Sequence, residues 1–214
     1  MKASVFISIF TMSERHGWLH PSIAEFIVGL TSQKRGLSLH LRNDHQPIDY
    51  ARNCAVKDFL ASNSEWSLSI DNDMAPPMNL LDMLDRAGER MDVLVPKFFR
   101  GEQAPNGGTV LHLCWEPLAE LGKNEWCELA CAGTGVMFVH RRVFERLGNR
   151  GWFRFAYGAD GQITNSEDVG FCQRARQAGF SVWGNQQFEA DHCKTFSMSR
   201  LARGVTVAVR AAPA

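Results

Sequence analysis

Neither sign of charge prevails in this 214-residue chain, where 23 Lys and Arg meet 23 Asp and Glu. A neutral total lacks the basic footprint that phosphate-backbone binding needs, so nucleic acid is not an expected partner. Long apolar runs are also missing, which excludes a transmembrane segment. The stretch from Met1 to Phe10 is apolar but short, interrupted by Ser4 and Ser8. It leads into Thr11-Met12-Ser13-Glu14-Arg15 with no small-residue cleavage site. It therefore reads as a first strand and not as a signal peptide. The expected location is cytoplasmic, or peripheral at the inner membrane face. Cys-x-x-Cys pairs are absent as well. The six cysteines stand at 54, 114, 127, 131, 172 and 193, and Cys127-x-x-x-Cys131 has no matching second half. That spacing excludes a structural zinc site and reads as reduced, buried thiols. No internal repeat or low-complexity linker divides the chain.

What is present is ordinary globular material, 45% hydrophobic and 21% charged, in a length that suits one domain burying about 70% of its unfolded surface. The first half alternates strand and helix patterns. Val5 to Phe10 reads as a strand. His20-Pro21 opens a helix carrying Ile23, Phe26, Ile27 and Leu30 at three- and four-residue spacing. Leu37 to Leu41 is a short alternating strand, and a second helix follows Pro47 with Ile48, Ala51, Ala55, Val56, Phe59 and Leu60 on one face. Trp66 to Ile70 is a third strand. Pro76-Pro77 is expected to start a third helix with Leu80, Leu81 and Leu84, before a strand at Asp92 to Pro96. This rhythm predicts an α/β fold, a mainly parallel doubly wound sheet with helices on both faces.

The second half is less regular. Phe98 to Gly108 reads as a loop, Thr109 to Trp115 and Glu128 to Ala132 as strands, and Gly133-Thr134-Gly135 as a small-residue turn before a strand from Val136 to His140. Arg141 to Leu147 is a short helix stopped by Gly148. Trp152 to Phe155 reads as an aromatic strand. Ser166-Glu167-Asp168 opens a helix reaching about Ala178, and Ser181 to Trp183 is a last strand before Asp191-His192-Cys193. The Ala/Val/Arg tail from Leu201 reads as frayed or a small helix.

Chemistry concentrates where the third strand ends. Residues i and i+2 of a strand face the same way, so Asp71 and Asp73 converge at the sheet's C-terminal edge if the strand geometry persists. Two hard carboxylates there suit Mg²⁺ or Mn²⁺ holding a diphosphate. Chance alone supplies about 0.6 such Asp-x-Asp pairs in a chain of this composition, so the motif does not stand by itself. The other candidates are equally two-sided. Glu167-Asp168 suits a helix N-terminus or a general base aimed into a cleft. His192 suits a structural histidine or a ligand completing the coordination begun by Asp73. Gly133-Thr134-Gly135 suits a tight turn or a close backbone approach to a ligand. Arg52 suits a solvated helix face or a phosphate contact. Trp115, Trp126, Trp152 and Phe155 suit the core or stacking on sugars.

Taken in order, these segments resemble the GT-A-type glycosyltransferases, closest to family-two-like members of bacterial and phage origin. The resemblance runs over about residues 3 to 195. It rests on Ala51-Arg52-Asn53 with Phe59-Leu60, on Ser69-Ile70-Asp71-Asn72-Asp73-Met74-Ala75-Pro76-Pro77, on Gly133-Thr134-Gly135-Val136-Met137-Phe138 with Arg142-Val143-Phe144, and on Glu167-Asp168-Val169-Gly170-Phe171-Cys172. It implies a single catalytic domain over 1–200, with a nucleotide-binding half at 1–97, an acceptor-side half at 98–200 and a tail at 201–214. It implies a metal-dependent transfer of a sugar from a nucleotide-diphosphate sugar to a hydroxyl acceptor, with a divalent cation, Mn²⁺ or Mg²⁺, as cofactor. The acceptor class stays open among glycan, lipid, protein and small molecule.

In that scheme Asp73 binds the metal, Asp71 holds the ribose or the metal and its waters, and His192 is a further ligand. Ile9, Phe10, Thr11, Arg52 and Asn72 join Asp71 in binding the nucleotide sugar. Asp168 is the base of an inverting displacement, supported by Glu167. Gly133, Thr134, Gly135 and Trp152 shape the acceptor side. Two departures concern the base pocket. The first strand reads Ser8-Ile9-Phe10-Thr11 in place of a Pro-x-Tyr ending, and the second ends Arg42-Asn43-Asp44 in place of paired acids. A nucleotidyltransferase would need a Gly-rich basic loop after the first strand, whereas Thr11 to Gly17 offers one Gly and one Arg. A catalytically silent nucleotide- or glycan-binding module on the same fold is the remaining alternative. A calcium loop is excluded, because Asp71-Asn72-Asp73 is followed by Met-Ala-Pro-Pro in place of the required Gly.

Overall fold

The computed structural model describes residues 2–11, 20–43, 46–103, 109–148 and 151–193. The loop 12–17, Asp44 and the tail 201–214 lie outside them. The first strand, β1, is Val5–Thr11, followed by α1 at Pro21–Leu30, β2 at Leu37–Asn43, α2 at Ile48–Ala61, β3 at Trp66–Asp71 and β4 at Met74–Ala75. Next come α3 at Asp82–Arg86, β5 at Val93–Lys97, β6 at Phe99–Gln103, β7 at Thr109–Leu113, β8 at Trp115–Pro117, β9 at Trp126–Ala132 and β10 at Val136–His140. The chain continues through α4 at Arg141–Leu147, β11 at Ala156–Tyr157, β12 at Ile163–Asn165, α5 at Glu167–Gln177, β13 at Val182–Glu189 and β14 at Asp191–His192.

Eight strands form the central sheet in the order β2-β1-β3-β10-β5-β13-β9-β8. β1 is parallel to β2 and β3, and β5 is parallel to β13. β10 runs antiparallel to both β3 and β5, and β9 runs against β13 and β8. Only β10 and β9 therefore oppose the common direction, and the sheet is mixed but mostly parallel.

Alternation along β1 shows why both faces are covered. Phe6 points toward α2, its ring 5.9 Å from that of Phe59, which in turn meets Phe144 of α4 at 5.8 Å. Val5, Ile7 and Ile9 point the other way and are equally buried, as strand periodicity requires of a two-sided sheet. α1 presents Ile23, Phe26 and Leu30 to the same core. Its start is set by Pro21 and by His20, whose Nδ1 accepts the Ser22 N–H at 3.3 Å.

Three expectations give way here. Pro76-Pro77 does not start a helix: residues 77–81 form turns closed by Leu80 N–H to Pro77 O and Asp82 N–H to Asn79 O, and α3 is only five residues long. Such i to i+3 closure lets Leu80, Leu81 and Met83 all reach the core without a full α-helical run. Phe98 to Gly108 is not simply a loop, because β6 pairs with β7, with Arg100 opposite His112 and Glu102 opposite Val110. Trp152 to Phe155 is not a strand. Its backbone groups are taken by side chains: Asn53 accepts from the Phe153 N–H and donates to the Phe153 carbonyl, and Arg174 donates to the Trp152 carbonyl at 2.6 Å. A small hairpin of β11 and β12 follows it, built around the turn that Gly158 to Gly161 marks in the sequence.

Candidate active site

The parallel strands β1 and β3 deliver their C-terminal ends to one edge of the sheet, where open α/β folds bind ligands. A cavity of about 480 Å³ opens there. Its lining includes Arg52 from α2, Asp71 at the end of β3, Gly133 to Gly135 between β9 and β10, Ser166 to Val169 at the start of α5, and His192 of β14. Five elements distant in sequence thus contribute to one site.

Arg52 is the buried centre of this edge, only 3% exposed. Its Nη2 donates to both carboxylate oxygens of Asp71, at 3.0 and 3.1 Å, and its Nε donates to Glu167 Oε1 at 3.4 Å. The guanidinium also lies over the Phe10 ring, 5.1 Å from its centroid. Its Nη1 is buried without a hydrogen-bond partner among the described residues. Burial pushes the Asp71 carboxyl upward, opposed by Arg52 and reinforced by Asp73. Glu167 is raised for the same first reason, against the same arginine and with Asp168 adding to it. Burial outweighs the cation at both acids.

Strand geometry does not persist through the Asp-x-Asp segment. β3 ends at Asp71, Asn72 and Asp73 form a turn, and β4 pairs with β14 so that Met74 faces His192. This sends the two aspartates to different partners. Asp71 is held by Arg52, which donates to both of its carboxylate oxygens, and it stays close enough to Asp73 and His192 to feel their charge. Asp73 Oδ2 lies 3.2 Å from His192 Nε2, and the Asp73 carbonyl accepts the Cys193 N–H at 2.6 Å. Two ligands at adjacent corners of an octahedral Mg²⁺ or Mn²⁺ site with bonds near 2.1 Å lie about 3 Å apart. The Asp73–His192 hydrogen-bonded pair has that spacing and offers one carboxylate oxygen and one imidazole nitrogen, a donor set that suits Mn²⁺ better than Mg²⁺. Among the described residues no group of three or more His, Cys, Asp or Glu gathers as a cage. A cation held by this pair would keep coordination positions for phosphate oxygens, which is how Mg²⁺ commonly binds. His192 Nδ1 is buried without a partner among the described residues.

Asp168 stands at the first turn of α5 and lines the cavity. Its Oδ1 takes the Ser166 hydroxyl and, at 2.8 Å, the Val169 N–H. Among the described residues Oδ2 accepts no hydrogen bond, and so it is the oxygen available to a ligand. Thr134 is buried between the two glycines, and a Cβ on Gly135 would lie 3.0 Å from Met74 Sδ. That turn accordingly keeps its backbone close to β4.

The side chains of Ile9, Phe10 and Thr11 are buried at the end of β1, where Phe10 pairs with Asp71 and lies under Arg52, so any contact with a base would come from their backbone. Asn72 lies in the turn, its carbonyl accepting the His20 N–H at 3.3 Å. Trp152 is a core residue, its indole N–H donated to the Phe144 carbonyl and its ring set edge-on to Phe144, and it is not among the residues that line the cavity. The sequence pattern missed Phe98, Arg100, Glu116 and Cys131, which line the wall made by β6, β8 and β9. Cys131 donates its thiol to Glu116 Oε2 at 3.0 Å, and burial with that carboxylate drives the thiol far upward, leaving it unreactive. Thr109 to Trp115 reads as a strand, with alternation in Leu111-His112-Leu113, so the hairpin partner β6 is the part without a signal; Glu116 carries none.

No protein-family model and no curated protein sequence matches the chain. Solved structures do. A197 from STIV superposes with a TM-score of 0.56 at 17% identity, over 89% of this chain and 86% of that one. GalNAc-T7 in complex with UDP, GalNAc and Mn²⁺ gives 0.53 at 12%, over 91% of this chain but 43% of its own, so the present chain spans under half that length. A mutant Drosophila β1,4-galactosyltransferase 7 complexed with manganese, UDP-Gal and xylobiose gives 0.51 at 15%, over 94% and 80%. A UTP-bound UGPase from Acinetobacter baumannii reaches the same 0.51 at 8%, over 94% and 92%. The architecture is the GT-A fold, which sugar transferases share with a UTP-binding enzyme. At these identities the likeness establishes the fold alone.

Proposed function

We propose that the chain is a metal-dependent glycosyltransferase that uses a nucleotide-diphosphate sugar. The observation that carries this is the meeting, at one cavity, of His192 with its partner Asp73 behind it, the Arg52-anchored Asp71 and the Asp168 oxygen that accepts no hydrogen bond among the described residues. Structural neighbours recorded with UDP and Mn²⁺ support UDP as the first nucleotide to test.

The cation would supply Lewis-acid neutralisation of charge developing on the departing diphosphate. Asp73 and His192 would hold it. Arg52, aligned by Asp71 and Glu167, would place positive charge beside the donor. Asp168 Oδ2 takes the proton from the acceptor hydroxyl as that oxygen bonds to the anomeric carbon. The bond from that carbon to the diphosphate breaks, and the electron pair leaves with the nucleotide. A single displacement of this kind inverts the anomeric centre. Ser166 and the Val169 N–H hold the other Asp168 oxygen, so the base is oriented before the acceptor arrives.

A nucleotidyltransferase shares the fold, as the UGPase likeness illustrates, but two carboxyl-bearing residues at the start of α5 favour a proton-accepting role over nucleotide transfer. The deciding experiment is calorimetric titration of UDP with and without Mn²⁺. Binding that needs the metal, and that disappears in Asp73→Asn, supports the reading. Folded protein that binds UDP equally well without metal, or not at all, overturns it.

A further inference from the structure

The hairpin of β11 and β12 stands immediately before the candidate base, and the proposed reaction leaves its outer surface unused. Tyr157 is paired across the strands with Ile163, and the two are 62% and 56% exposed. Phe155 adds a half-buried ring 6.5 Å from that of Tyr157. A two-stranded ribbon has little stability of its own, and this one is anchored at its two ends. The Phe153 backbone is clamped by Asn53, Arg174 holds the Trp152 carbonyl, and Asn165 donates to Gln173 at 2.8 Å. Its turn is closed by Gly161 at a φ of 76° and by Gln162 N–H to Asp160 Oδ1. An aromatic ring and a branched aliphatic side chain thus stand out in water on an anchored turn.

The position of this strip relates it to the cavity. Ile163 is three residues from Ser166, which lines the cavity, a separation of at most about 11 Å of extended chain. A cavity of about 480 Å³ is of the size that one drug-sized ligand fills. A nucleotide-diphosphate sugar with the reacting acceptor ring would occupy it, so any further part of the acceptor must lie outside, next to Asp168. Tyrosine offers a flat apolar face with a polar tip, and Gln162 and Thr164 flank the strip with exposed amide and hydroxyl groups. Flat apolar faces edged by hydroxyls are also the surface of a pyranose ring. Resting on the transferase reading above, we infer that the acceptor is an oligosaccharide of at least two rings, whose non-reacting ring lies against Tyr157 and Ile163.

The test uses the full chain and an array of defined oligosaccharides printed beside their monosaccharides, with UDP and Mn²⁺ titrated in parallel. The expected result is binding to one or more oligosaccharides and not to the matching monosaccharides. That binding weakens about tenfold in Tyr157→Ala and in Ile163→Ser, while Val28→Ser, an exposed apolar change on α1, retains it. Metal-dependent UDP binding without any oligosaccharide binding overturns the acceptor inference and leaves the transferase reading standing. So does oligosaccharide binding that ignores both hairpin variants, or a wild-type dimer that Tyr157→Ala converts to monomer. Loss of UDP binding in the wild type removes the transferase reading itself.

Discussion

Arg52 governs the balance of charge at the cavity edge. Removing it strands two buried carboxyls, and breaking a buried pair in this way costs about 3–5 kcal/mol. Both acids have folded-state pKa values raised by burial. A raised carboxyl favours the folded state while protonated, and that contribution is lost as pH rises through the raised value. Arg52→Ala is therefore expected to lose most stability at neutral pH and to recover part of it near pH 4–5, as denaturant unfolding at the two pH values will show. Asp168→Asn is a different kind of change. It should retain UDP and metal binding while transfer falls by about 10²–10⁴-fold, the usual share of a general base; transfer at the wild-type rate would assign the base elsewhere. Sequence alone left Arg52 poised between solvated face and phosphate contact, because neither Asp71 nor Glu167 can be paired with it before the chain is folded. Asp73 and His192 were legible as residue types. Their 3.2 Å approach depends on β4 pairing with β14, two short strands that carry no periodicity of their own.

Secondary elements with a strong repeat were readable: β1, α1, α2, β3, β10 and α5 lie close to where apolar spacing and caps put them. Those stabilised by side-chain-to-backbone contacts were not. The segment 152–155 has strand-like residues, yet Asn53 and Arg174 satisfy its backbone, and these lie about 100 and 20 positions away in sequence. Packing between elements also sets limits that composition does not reveal. Gly184 of β13 lies against Trp115, and a Cβ there would come within 2.9 Å of two ring carbons. The indole is not free to swing away, because its N–H is donated to the Pro96 carbonyl at 3.2 Å. Gly184→Ala should consequently cost about 1–3 kcal/mol by overpacking, read as a lower thermal midpoint, and should move the Trp115 ring that lines the cavity, read as a changed tryptophan emission. An unchanged midpoint would mean that β13 and β8 can separate at little cost.

For the molecule as a whole, the alternating rhythm of the first half announced an α/β sheet, and the mostly parallel sheet is there. Its mixed character was not visible, because direction is a property of pairing and β10 has the same apolar composition as its parallel neighbours. No helix among the described residues is long and apolar enough to cross a membrane. The two halves suggested by function, donor side at 1–97 and acceptor side at 98–200, remain a proposal about roles; they are not separable bodies. β10, drawn from the second half, is inserted between β3 and β5 of the first. During synthesis the chain must therefore wait. Until His140 has been made, β3 and β5 border an empty slot, with the backbone groups of Leu68 and Leu94 that Phe138 will later face still unmatched. A ribosome releasing only the donor half would release a sheet with a missing middle, prone to pairing with whatever strand arrives first. The site is completed later still, because α5 with Glu167 and Asp168 and β14 with His192 follow β10 in the chain.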